Sequence, residues 1–503
     1  MKKILYSAVL LLSLSSCGIY TKYQPETKVP DKLFGDSVLE KSITEYQGGN
    51  LKESVKNNSI KKDSIQNNSV QKDSVQKDSA SLGFMDWHDL FQDPLLQQYI
   101  ERGLSHNTDY LQAMQRVEEA SATLKAAKLA FLPSFAISPQ AGVSSFDGAK
   151  ASQTYSVPLS MSWEIDIFGR MRNAKEQSKA LYAKSLDFKQ AVRTQLIANL
   201  ANIYYTLISL DQQLSLSVKT EEAWRETLTT ARALMMAGRY NEAGVAQMEA
   251  TLQSVHTGVL DLQNQIVQTE NSMAVLLGET PRHYARSKEF LATGESFNKI
   301  SVGVPLQLLS SRPDVRQAER TIESAFYGVN QARSAFYPSL TLSGSVGWTN
   351  SAGMMIVNPG KVLASAAASL VVPVLTRGQN EAQLKIAKAQ QEEAKLAFTQ
   401  TLLNAGKEVN DALTAYQTSV KKEETIASQI VSLEKALRST TLLMEHGTNT
   451  YLEVLTARQS LLSAQLQESA NKLTKTQYII NLYQALGGGQ EHSVQVVHTG
   501  EGQ

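Results

Sequence analysis

The chain has 503 residues, 19% of them charged, and a formal net charge of +1. That balance gives no electrostatic case for a nucleic-acid partner. No run of about eighteen apolar residues is present, which excludes an ordinary membrane-spanning helix.

Residues 1–16 read as a signal peptide: Lys2 and Lys3, then the apolar run Ile4–Leu12. The segment ends Leu14-Ser15-Ser16-Cys17, which resembles the bacterial lipobox and implies lipidation of Cys17. A plain secretory signal with an incidental cysteine is the other reading. Cys17 is the only cysteine, so an internal disulfide is excluded. Loss of residues 1–16 removes two lysines and takes the net charge from +1 to −1.

Residues 17–85 read as a polar tether. Serines recur every five residues at Ser54, Ser59, Ser64, Ser69, Ser74 and Ser79. Period five fits neither helix nor strand, and the composition predicts a disordered segment rather than a small solenoid. Order is expected to resume at Asp86-Trp87, with helix over 94–131 interrupted near Asn107.

A β-hairpin is predicted over 133–168. Phe135, Ile137, Ala141 and Val143 take one parity, and Ala136, Ser138, Gln140 and Ser144 the other. Its return strand alternates from Thr154 to Ile167, with Trp163 and Leu159 on the apolar side. Such alternation marks a strand with two different surroundings. From Arg170 to Ala237 there is no Gly or Pro, so one helix of about 100 Å is expected. Leu196, Leu200, Ile203, Leu207, Leu210 and Leu214 give it a coiled-coil seam. Gly238 ends it, and a second helix follows over Val245–Leu277.

The second half repeats this plan. Arg312-Pro313-Asp314 opens a helix, with Pro and Asp suited to a first turn. Phe336-Tyr337-Pro338-Ser339 repeats Phe131-Leu132-Pro133-Ser134, and a second hairpin is predicted over 338–376. Leu340, Leu342, Val346 and Trp348 form the apolar face of its first strand. Asn350–Gly360 is read as its loop, and Ala366, Ala368, Leu370, Val372 and Val374 as the apolar face of its return strand. Gly169, Gly238 and Gly278 each recur 209 residues later as Gly378, Gly447 and Gly487. Fixed offsets at turn residues indicate an internal duplication, with repeats at 86–300 and 301–489 and a polar tail at 490–503. Gly238 and Gly447 are then the tip turns of two helical hairpins.

A soluble half-buried hairpin would also alternate. Apolar residues on one face of all four strands, with aromatics near the strand ends, match the outer-membrane barrel pattern instead. Four strands cannot close a barrel, and open edges are not tolerated in lipid. An open duct therefore needs several copies, and three copies supply twelve strands.

Several stretches between Asp86 and Gly489 together resemble the TolC-like outer membrane efflux proteins, in particular the lipoprotein branch serving resistance-nodulation-division pumps. They are Arg312-Pro313-Asp314-Val315, Phe336-Tyr337-Pro338-Ser339-Leu340, Gly447 with Tyr451-Leu452-Glu453-Val454-Leu455, and Leu482-Tyr483-Gln484-Ala485-Leu486-Gly487-Gly488-Gly489. The resemblance implies a mixed α and β membrane protein that forms a homotrimer. Long antiparallel coiled coils would build a periplasmic tunnel, and four strands per chain a twelve-strand transmembrane barrel. It also implies a lipid-anchored place in the outer membrane, a periplasmic adaptor and an inner-membrane pump. The tips would meet near the three-fold axis as a gate formed by Asn449, Leu452, Glu453, Thr456 and Gln459, with Glu453 its main charge. Departures from the family pattern are Ser311 before Arg312-Pro313, Gly244 at the first tip, Thr456 where an Asp is frequent, the order Arg458-Gln459, and the inserted pentad repeat.

Seven scattered histidines show no metal-ligand spacing. Gly487-Gly488-Gly489 follows a helix, as a cap does, whereas phosphate loops precede helices. No nucleophile–base constellation stands out, so the expectation is a non-enzyme without metal or cofactor. The leading reading is a passive exit duct for drugs or other small toxic compounds. The same architecture serving type I protein secretion, and a lipid-anchored coiled-coil scaffold without a pore, are the alternatives.

Overall fold

The computed structural model describes residues 20–25, 85–145, 147–148, 150–291, 311–352, 355–446 and 451–490. The signal peptide, Cys17, the pentad repeat, Gly447, Asn449 and the tail from 491 lie outside the described residues. The described residues fall into two compact units, one within 1–28, 114–188 and 314–401 and the other within 29–113, 189–313 and 402–503.

The elements are α1 (Trp87–Leu90), α2 (Pro94–His106), α3 (Thr108–Leu129), β1 (Ser134–Ile137), β2 (Gln140–Ser144), β3 (Ser152–Ile165), α4 (Arg170–Met236) and α5 (Glu242–Leu277), then α6 (Pro313–Ser334), β4 (Ser339–Ala352), β5 (Met355–Val371), α7 (Gln379–Glu445) and α8 (Tyr451–Ala485). Local chemistry sets the boundaries. Asp93 caps α2 by accepting from Leu95 N, with Pro94 at the first helical position. Asp166 accepts from the backbone N–H groups of Met171 and Arg172 and so caps α4. Asn241 caps α5 through Gly244 N, and Gly278 ends it in the left-handed conformation at φ 68°.

In the first unit, one antiparallel sheet runs in the order β1–β3–β4–β5, with β2 also on β3. The first predicted strand is broken at Ser138-Pro139. Pro139 has no N–H to give to the ladder, and only Ser138 N reaches across, to Pro158 O at 3.3 Å. The second hairpin also differs from the expectation. Asn350–Gly360 is not a loop but strand on either side of 353–354. Asn350 explains how: its amide accepts from Tyr155 N at 2.6 Å and donates to Gln153 O at 2.8 Å. The side chain thus prolongs the β3–β4 pairing past its last backbone partner. At the other end β5 stops at Val371, so Val372 and Val374 lie beyond it. Pro373 cannot donate within a ladder.

In the second unit, Trp87, Phe91, Leu96 and Ile100 pack with Leu200, Tyr204 and Leu207 of α4 and with Ile479, Ile480 and Tyr483 of α8. Leu196, Leu200, Leu207 and Leu210 of the predicted seam are buried. The two halves of the chain use the same joints. Asn107 Nδ2 donates to Leu276 O at 2.9 Å, in the last turn of α5. Arg312 Nη1 donates to Ala485 O at 2.8 Å, in the last turn of α8. Gly169 and Gly378, and Gly278 and Gly487, all have positive φ.

Candidate channel wall and candidate gate

The strand register sorts the wall by chemistry. Directly opposite residues share a face. Phe135 meets Met161, and Ile137 meets Leu159. Across the next junction Leu159 meets Val346, Trp163 meets Leu342 and Val157 meets Trp348. Leu342 then meets Ala368, and Leu340 meets Leu370. Every one of these pairs is apolar on both sides, so one face of the sheet is apolar across four strands. The other face pairs Ser134 with Ser162, Ser160 with Ser345, Ser162 with Ser343 and Ser345 with Ser365. Several of its hydroxyls bond to the neighbouring strand, as Ser160 Oγ does to Ala136 O at 3.1 Å.

The apolar face is bare in the single chain: Phe135, Ile137 and Val143 are 64%, 66% and 70% exposed. Its tryptophans lie toward the two strand ends, and each anchors its indole N–H on a carbonyl. Trp163 Nε1 donates to Phe131 O at 2.9 Å, and Trp348 Nε1 to Gly360 O at 3.2 Å. The polar face ends in an ion pair where β3 runs into α4. Arg170 Nη2 donates to both Glu164 carboxylate oxygens at 2.5 Å. The β1/β2 edge and the β5 edge each pair on one side alone among the described residues.

The candidate gate lies where α4 turns into α5 and where α8 begins. Gly238 makes the first turn at φ 68°, and nothing stands within 4 Å of where a Cβ would be. Its requirement is therefore conformational, not steric. Trp224, Leu228 and Ala231 of α4 pack with Val245, Met248, Leu252 and Val255 of α5, and Leu455 of α8 joins them. Val454 is also buried, while Glu453, Thr456 and Gln459 are exposed. Their spacing of three puts these three on one face of α8. Leu452 lies in the first turn of α8.

Two contacts near the tip were not singled out from sequence. Arg458 Nη1 donates to Ala223 O at 3.2 Å and to Thr227 Oγ1 at 3.0 Å, tying α8 to α4. The signal available was the order Arg458-Gln459, but nothing local names a partner more than 200 residues away. Glu221 bonds Arg225 at 2.6 Å and His256 of α5 at 3.1 Å. The Arg225 hydrogen bond holds the Glu221 carboxyl below the usual carboxylate range, with His256 adding to it.

Comparison with known proteins decides what this arrangement is. The model of the outer membrane efflux protein family matches residues 99–279 and 304–488. The chain belongs to the outer membrane efflux protein family. As a family member it is an outer-membrane channel of an efflux system, built from long helices and antiparallel strands. It is 26% identical over 411 residues to the cation efflux system protein CusC of Escherichia coli O6:H1, covering 80% of this chain and 88% of that one. It is 26% identical over 409 residues to the probable outer membrane lipoprotein SilC of Salmonella typhimurium, covering 80% and 88%. The structure of the open state of the MtrE outer membrane channel of Neisseria gonorrhoeae superposes with a TM-score of 0.73 at 27% identity, covering 86% and 98%. No helix among the described residues of this efflux protein is long and apolar enough to cross a membrane.

Proposed function

We propose that three copies of this chain close their sheets into one twelve-strand barrel that serves as a passive exit for drugs or other small toxic compounds. One observation carries the reading. The register gathers the apolar residues on one face and the small hydroxyl residues on the other, yet leaves both sheet edges open. In lipid an apolar outer face is favourable and an open edge is not, so the edges call for neighbours of the same kind. The long helices build the periplasmic tunnel, and a periplasmic adaptor joins it to an inner-membrane pump of the resistance-nodulation-division class. Mass measurement of the full chain in detergent, with planar-bilayer recording, tests the assembly. Three copies and stepwise conductance are expected; a monomer that conducts, or a trimer that does not, would overturn it.

Cys17 carries the lipid anchor in this reading, supported by its lipobox context and by the outer-membrane lipoprotein among the relatives. Cys17→Ala is expected to abolish incorporation of radiolabelled lipid, and labelling that persists would refute the assignment.

Glu453, Thr456 and Gln459 line the closed end of the tunnel. The support is that Glu453 is exposed beside buried Val454 and Leu455 and forms no ion pair among the described residues. Three such carboxylates around an axis attract cations and resist full ionisation. Glu453→Gln should lower cation selectivity in single-channel recordings. Glu468→Gln, farther along α8, should not, because Glu468 is already paired with Lys472 at 2.7 Å. An unchanged reversal potential in Glu453→Gln would remove it from the gate.

A further inference from the structure

The two hairpins, 133–168 and 338–376, contain five charged side chains: Asp147, Lys150, Glu164, Asp166 and Lys361. Four of them are offset. Glu164 is held by Arg170, as described, and Asp166 binds the start of α4 and Arg172 Nε at 3.3 Å. Asp147 and Lys150 both lie in the connection between β2 and β3 and cancel only in net charge, since no ion pair joins them among the described residues. Lys361 is left over. It is exposed and makes no ion pair among the described residues.

Its position follows from the register. Lys361 lies opposite Thr349, in line with the pair Ser345 and Ser365, and so on the hydroxyl-bearing face. Its neighbour Val362 lies on the apolar face opposite Trp348. Tryptophans on the lipid side of barrels gather at the membrane–water interface. Lys361 is ten residues from Val371, the last residue of β5. That is roughly 33 Å along a strand, about the hydrocarbon thickness once the strand is tilted.

We propose that Lys361 forms a basic ring at the outer mouth of the strand wall, which attracts anions: small inorganic ions, or carboxylate and phosphate groups on passing cargo. The proposal rests on the three-copy duct above. Symmetry sets three ammonium groups around one opening, and rings of Lys or Arg favour anions. Their sign is opposite to that of Glu453. Because the Debye length is about 8 Å at physiological ionic strength, the preference should weaken as salt rises.

Two measurements on the full chain test it. K361C and V362C, each labelled with bimane, are reconstituted with brominated lipids, with Cys17 alone as the labelling background. V362C should be quenched, whereas K361C should stay bright and react with a water-soluble thiol reagent. Quenching of K361C would place Lys361 against lipid headgroups and overturn the ring. In a potassium chloride gradient K361Q should move the reversal potential toward that of potassium, and K361E further, while K361R leaves it in place. Wild-type conductance with an indifferent K361E ends the ring and leaves the duct standing. A wild-type chain without unit conductance ends the duct and the ring with it.

Discussion

Leu342→Arg is expected to destabilise the assembled barrel by ~2–4 kcal/mol, and Ser343→Arg by much less. The two residues are adjacent, so the comparison isolates the face. Leu342 lies between Trp163 and Ala368, on the side that carries Val346 and Leu340. An arginine there would place a guanidinium in hydrocarbon with no water within its own strand's reach. Ser343 lies between Ser162 and Ala367 on the hydroxyl side, where a long cation can be solvated. Thermal dissociation of the oligomer on gels reads the difference. Equal losses would mean that the wall has slipped by one residue, since a one-residue shift exchanges the faces.

Trp224→Ala should be the most damaging change at the tip, at about 3–5 kcal/mol, the usual cost of deleting a buried indole. Trp224 is 1% exposed and central to the cluster that joins α4, α5 and Leu455 of α8. Its loss removes the packing that holds the first turns of α8, and with them Glu453. The expected readout is a lower unfolding midpoint for the tip by hydrogen exchange, together with more frequent spontaneous openings in bilayer recordings. Trp224→Phe separates packing from hydrogen bonding. The Trp224 Nε1 group has no hydrogen-bond partner among the described residues, so replacing it by an apolar ring should cost far less. A Phe variant as damaged as the Ala variant would contradict this account.

The wall and the helices were legible because their causes are local. Alternation at Leu340–Trp348 and Tyr155–Ile165 needs no partner to be seen, and the absence of Gly and Pro over 170–237 announces α4 directly. The offset of 209 residues could be read off the glycines because a left-handed backbone leaves few alternatives to glycine. What stayed hidden was a set of side chains whose partners are remote. Asn350 reads as a turn former, yet it bonds β3 about 195 residues earlier. Arg458 reads as an exposed helix arginine until Thr227 is beside it. Arg312 looks like a first-turn residue, whereas its work is to close the end of α8 and to pair with Glu408 at 2.7 Å. The register between β3 and β4 was equally invisible. The alternation specifies which face each residue takes but not which residue it meets.

That β3–β4 junction has a consequence for how the protein is made. Ile165 must pair with Leu340. At synthesis rates of about 5–20 residues per second, β4 follows β3 after roughly 10–35 s. A hairpin forms in microseconds, so β1, β2 and β3 can be joined long before their neighbour exists. During that interval the nascent chain carries a three-segment ribbon with an apolar face and an unsatisfied β3 edge. Edges of this kind invite pairing with the wrong chain. Pairing of β3 with β4 therefore waits for the second half of the chain, and the delay is set by the length of the helical hairpin inserted between the two halves of the sheet.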